Sequence, residues 1–236
     1  MLSFIHFSKT YKGGKRAVDD LTLDVEAGDI YGFIGHNGAG KTTSLKAASG
    51  ILDFEEGDIR IDGKSIKEDP VFCKKEMAYI PDNPDLYEFM TGAKYLNFIA
   101  DIYGVGEERN ADIEKYAGMF EIKEALGSPI SSYSHGMKQK LAIISALIHH
   151  PKLLILDEPF VGLDPKAAHL LKEIFADMTA AGGAIFFSTH VLEVAEKLCN
   201  KIAIIKEGKL IASGDTTSVV GDGSLEELFL ELNADA

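Results

Sequence analysis

Apolar and polar residues alternate with a period of two through much of the first sixty positions. The stretches LSFIHF, LTLDVEAGD, IYGFIG and GDIRIDG each show it, with Gly and Asp at the turns between them, and this predicts β-strands. IYGFIG stops in a glycine-rich loop. KTTSLKAASGIL then takes up a helical period and is closed by Gly50, giving strand, loop, helix. From about Asp82 to His150 the pattern is mainly helical, in TGAKYLNFIADIYG, RNADIEKYAGMF and SHGMKQKLAIISALIHH, and Pro151 ends the block. KLLILDEP and GAIFFSTH are short apolar runs bounded by breakers, the signature of buried parallel strands. KIAIIKEGKLIASG reads as a hairpin. SLEELFLEL carries a capping-box spacing at Ser224 and Glu227, with apolar residues at 225, 228, 229 and 232. There is no internal repeat. The pattern predicts an α/β core that is interrupted by a helical insertion and then resumed.

Composition narrows the function classes. At 236 residues and 46% hydrophobic, the chain can bury a substantial core as one large domain or two small ones. A formal net charge of -13 argues against a general nucleic-acid or anionic-membrane binder. The basic clump KTYKGGKR (Lys9 to Arg16) is local and reads as a solvated hairpin. Cys73 and Cys199 form neither a disulfide framework nor a metal-spaced cluster; Cys199 is expected as a buried thiol in a helix. MLSFIHFSKTY lacks the basic start and long apolar core of a signal peptide, so none is expected. No run of ~18 apolar residues is present to span a bilayer.

Two segments carry chemistry. GHNGAGKT (Gly35 to Thr42) fits G-x-x-x-x-G-K-[ST] at every fixed position. Gly35, Gly38 and Gly40 let the backbone curl until its N–H groups face phosphate oxygens, and His36, Asn37 and Ala39 lie on the same loop. Lys41 would reach the β- and γ-phosphates, Thr42 would offer a hydroxyl to Mg²⁺, and Thr43 follows at the positive end of the helix. The strand before and helix after the loop disfavour a chance glycine-rich turn. LLILDEP then runs four apolar residues into Asp157 and Glu158. An acid at the end of a buried strand is costly to ionise unless a cation offsets it. Asp157 is therefore expected to hold Mg²⁺, directly or through water, and Glu158 to polarise the attacking water. A third segment, YSHGMKQK, sets Ser134, Gly136 and two lysines at a helix mouth, where negative charge is favoured.

With these three segments in this order, the chain resembles the ATP-binding cassette ATPases over nearly its whole length. The resemblance implies a P-loop NTPase: a mainly parallel sheet core, an N-terminal antiparallel β part and an inserted helical subdomain. It also implies one nucleotide-binding domain over 1–236, with 1–82 and 151–220 as ATP-binding core, 83–150 as helical signature subdomain and 221–236 as C-terminal helix. It assigns Tyr11 to the adenine, Asp164 of GLDP to a subunit contact, and His190 of FFSTH to the γ-phosphate. Ser134 and Gly136 fall on the family's signature loop, which faces the γ-phosphate held by a second cassette. ATP and Mg²⁺ are thus the implied ligands, and a second cassette subunit, identical or not, is an implied partner. The other is a separate transmembrane permease subunit; no nucleic acid is expected. The chain would be cytoplasmic, peripheral on the inner face of the cell membrane.

The sequence departs from the family pattern at four places. His135 replaces the first signature glycine and Met137 the usual glutamine; Phe160 replaces a threonine; Asp82 stands where a glutamine contacts Mg²⁺ and relays to the membrane partner. An aspartate can accept from metal-bound water but cannot donate as an amide does. Tyr87, Phe89, Tyr95 and Phe98 are expected either to form a groove for a partner helix or to belong to the core of the helical block. Motif style is nearest to bacterial export-type cassettes. A cassette ATPase without transport, acting in iron–sulfur assembly or as a nucleotide-gated regulator, is the alternative.

Overall fold

The computed structural model describes residues 1–221 and 223–234; of the expected C-terminal segment, positions 222, 235 and 236 lie outside the described residues. The alternating N-terminal segments form β1 (Leu2–Thr10), β2 (Arg16–Val25), β4 (Glu56–Ile61) and the short β5 (Lys64–Ser65). They make one antiparallel sheet in the order β2-β1-β4-β5. Residues 11–15 of the basic clump form the exposed β1–β2 turn, whereas Lys9 is buried near the end of β1 and Arg16 opens β2.

The apolar runs build a second sheet from β3 (Ile30–Ile34), β6 (Met77–Ile80), β7 (Leu153–Asp157), β8 (Ala184–Thr189), β9 (Lys201–Lys206) and β10 (Lys209–Asp215), in the order β10-β9-β3-β8-β7-β6. All pairs are parallel except the β9–β10 hairpin. Two-sided burial explains the unbroken hydrophobicity of β7 and β8. Leu153, Ile155, Ala184 and Phe186 face the antiparallel sheet and helix α1 (Lys41–Ala48). Leu154, Leu156, Ile185 and Phe187 face the helical side. Helix α1 is thereby enclosed between the two sheets, which fixes the start of the phosphate-loop helix against a rigid wall.

The other helices are α2 (Pro70–Glu76), α3 (Gly92–Tyr103), α4 (Arg109–Met119), α5 (His135–Leu147), α6 (Pro165–Ala180), α7 (Leu192–Leu198), α8 (Thr216–Val220) and α9 (Leu225–Ala234). Side-chain caps start several of them: Asp69 accepts from Phe72 N, Thr91 from Lys94 N, and Asp164 from Ala167 N. Ser224 and Glu227 form a reciprocal box, at 3.2 and 2.9 Å. Four elements go beyond the sequence reading: β5, α2, edge strand β6 just before the helical block, and α8. Cys199 is buried, but it lies one residue past α7 in extended conformation, not within the helix.

Candidate active site

Four parallel strands deliver the chemistry at their carboxyl ends, where ligands of open α/β sheets bind. Strand β3 runs into Gly35, β7 ends in Asp157 and Glu158, β8 is followed by His190, and β6 leads to Asp82. A cavity of about 270 Å³ lies there. Its floor is the loop and first turn of α1, through His36, Asn37, Gly38, Gly40, Lys41, Thr42 and Thr43. Its walls are Asp157, Glu158 and Asp82 on one side and Tyr11, Lys15 and Ala17 on the other. Gly35 and Ala39 are buried beneath the loop. Lys15 and Ala17 were missed in the sequence reading; the basic clump that contains Lys15 was the available signal.

Backbone sterics hold the loop in shape. Gly40 has φ +113, and a Cβ there would lie 2.6 Å from the Ala17 carbonyl oxygen. Gly38 has φ +83 with open space where a Cβ would stand, so it is the backbone conformation and not crowding that favours glycine there. Lys41 is 6% exposed, and its ammonium donates to the carbonyls of Gly35 and, at 3.3 Å, His36. Burial lowers its pKa, against the opposing pull of Glu158 and Asp157. Tyr11 stands at the rim, its hydroxyl 3.2 Å from Thr43 Oγ1.

Asp157 is 4% exposed and accepts from the Ser188 hydroxyl. The Glu158 N–H is fixed by the Ser188 carbonyl and hydroxyl, both at 3.2 Å. Its φ of +48 is uncommon for a residue with a side chain and carries local strain. The carboxylate lies 2.8 Å from Nδ1 of His190. Strain and hydrogen bonds together aim Glu158 into the cavity with His190 behind it. The donor set suits a hydrated divalent cation. Among the described residues, no group of three or more His, Cys, Asp or Glu is placed to hold a metal. One buried carboxylate and one threonine hydroxyl suit Mg²⁺, which keeps waters and takes further oxygens from phosphates.

Ser134 and Gly136 do not line this cavity. Ser134 caps α5, accepting from Met137 N at 3.3 Å. A Cβ on Gly136 would lie 2.9 Å from the Gly162 carbonyl oxygen, and one on Gly162 would lie 2.6 Å from the His135 ring. Lys140 pairs with Asp164 at 2.6 Å, and that bond is the main cause of the lowered Asp164 pKa. The start of α5 and the Gly162–Asp164 loop are thus packed as one unit.

A parallel sheet with a glycine cradle at its carboxyl edge and an acidic strand end beside it defines a P-loop nucleotide-binding protein. The family model described as ABC transporter matches residues 18–161. The ABC-type transporter ATP-binding protein EcsA of Bacillus subtilis (strain 168) is 34% identical over 219 residues, 90% of this chain and 89% of EcsA. The uncharacterized ABC transporter ATP-binding protein YhcH of the same strain is 36% identical over 84% of this chain; the chain spans only 65% of that relative's length. A solved structure of the ATP-binding subunit of an ABC transporter superposes with a TM-score of 0.94 at 35% identity over 99% of both chains. The chain belongs to the ABC transporter family, and its likeness is to that family's ATP-binding subunits, which are ATPases.

Proposed function

We propose that the chain binds and hydrolyses ATP and so energises a separate transmembrane subunit, in the export direction. The observation that carries the ATPase reading is the Glu158 carboxylate, held 2.8 Å from His190 at the mouth of the cradle beside buried Asp157. Glu158 orients the attacking water and takes its proton. Lys41 and the loop N–H groups hold the β- and γ-phosphates. His190 keeps Glu158 in place and faces the γ-phosphate, and Tyr11 meets the base. Thr42 and Asp157 would hold Mg²⁺, with Asp82 reaching it through water. Mg²⁺ when bound neutralises charge on the transferring phosphoryl group. The products are ADP and phosphate.

The separation of Ser134 and Gly136 from the chain's own cavity supports a composite site, in which they meet the γ-phosphate bound by a second cassette subunit. Asp164, next to them, lies at that contact. Loss of the γ-phosphate then opens the pair. In this reading 1–82 and 151–220 are the ATP-binding core and 83–150 the signature subdomain of one nucleotide-binding domain on the inner face of the membrane. The aromatic cluster after β6 supports the coupling role. Phe89 is 81% and Tyr87 49% exposed, with Phe98 packed against Tyr87, whereas Tyr95 belongs to the core. Export follows motif style alone. In the test, Glu158→Gln lowers ATP turnover by about 10²-fold or more while ATP still binds. Turnover at the wild-type rate would refute the assignment.

A further inference from the structure

The buried side-chain polar atoms that lack a partner among the described residues lie on Gln139, His149 and Tyr79. Gln139 belongs to α5, which packs on the helical face of the sheet. His149 is accounted for: its Nε2 lies 3.2 Å from the Met77 carbonyl, its ring stacks on Tyr103, and its bare Nδ1 belongs to a neutral imidazole. The Tyr79 hydroxyl has no such account. Leaving a buried hydroxyl unmatched is destabilising, and phenylalanine would fill the same apolar contact without that cost.

Position gives the hydroxyl a task. Tyr79 lies on edge strand β6 opposite Ile155 of β7; Ile155 belongs to the core that faces α1, and half-buried Tyr79 packs against that core. Asp157 is two residues beyond Ile155, hence on the same face of the sheet. Asp82 follows three residues after Tyr79, at the cavity wall. Tyr79 itself does not line the cavity, and its hydroxyl bonds neither carboxylate; burial, then the charges of Asp157 and Asp82, oppose ionisation of the phenol.

We propose that Tyr79 is a positioning residue for the magnesium–nucleotide, its hydroxyl completing by hydrogen bond the polar shell that Asp157 and Asp82 present to a hydrated divalent cation. This rests on the reading of the cavity as an Mg²⁺–ATP site. The test is Tyr79→Phe in the full chain, with a fluorescent ATP analogue titrated with and without Mg²⁺ and the melting temperature recorded without nucleotide. Without Mg²⁺, wild type and variant bind alike, and the nucleotide-free variant melts no lower. The gain in affinity that Mg²⁺ confers is about fivefold smaller in the variant, the worth of one net hydrogen bond. An undiminished Mg²⁺-dependent gain overturns the proposal. So does a lower melting temperature with an equal loss of affinity with and without Mg²⁺, which would mark a structural role. Wild type that gains no affinity from Mg²⁺ would instead overturn the underlying reading of the cavity, and the Tyr79 role with it.

Discussion

Gly40 shows how little freedom the cradle has. Its φ of +113 and the 2.6 Å approach of the Ala17 carbonyl to a would-be Cβ leave no relaxed place for a methyl group. Gly40→Ala therefore costs about 1–3 kcal/mol of loop strain and weakens ATP binding roughly ten- to a hundredfold; equilibrium titration checks this. His149 makes a separate prediction about pH. Burial pulls its pKa from 6.5 down to about 4, with the Met77 carbonyl opposing and neighbouring His150 assisting. The unfolded chain takes up this proton at a higher pH than the folded one, so the folded state loses stability as pH falls from about 6.5 towards 4 and loses nothing above. The loss amounts to roughly 3 kcal/mol. His149→Phe, which keeps an aromatic ring against Tyr103, should show a smaller fall in melting temperature between about pH 7 and pH 4.5 than wild type. An equal fall would mean that other groups carry the acid sensitivity.

Local pattern and cap chemistry made most elements legible before the structure. Strands β7 and β8 read as buried because both of their faces are covered, and α9 announced itself through the Ser224–Glu227 spacing that the two hydrogen bonds realise. Helix α2 and strand β6 were not legible, because seven and four residues are too few for a period to declare itself. Nor did any local pattern say where α9 would pack. Its Phe229 ring lies 4.7 Å from the His36 ring of the phosphate loop, and Lys206 donates to the Leu232 carbonyl at 2.8 Å. That juxtaposition is a tertiary fact between residues far apart in the chain. It predicts that Phe229→Ala loosens the loop, measured as faster amide exchange at residues 36–38, with exchange at the start of α5 unchanged. At that start, Ser134→Ala removes the cap and costs about 1 kcal/mol of stability by denaturant melting. The Tyr79 hydroxyl was hidden for the same tertiary reason: β6 and β7 are distant in sequence and meet only in the sheet.

At the scale of the molecule, the glycine cradle and the Ser134 turn are two separated features of one chain. No helix among the described residues is long and apolar enough to cross a membrane. In the proposed function, coupling runs through the exposed aromatic surface at Phe89 and Tyr87. Phe89→Ala should release a membrane partner on purification while leaving ATP binding intact. Retention of that partner at wild-type yield would move the coupling surface elsewhere. In the proposed dimer a neighbour's serine–glycine turn closes over each bound ATP. The most direct measurement is light-scattering mass of the Glu158→Gln chain with Mg²⁺–ATP. The Glu158→Gln chain is expected at twice the 25.6 kDa chain mass with ATP, at the single mass with ADP, and at the single mass with ATP once Ser134→Ala is added. A single chain mass for Glu158→Gln at saturating ATP and high protein concentration, or a dimer indifferent to Ser134, would contradict it.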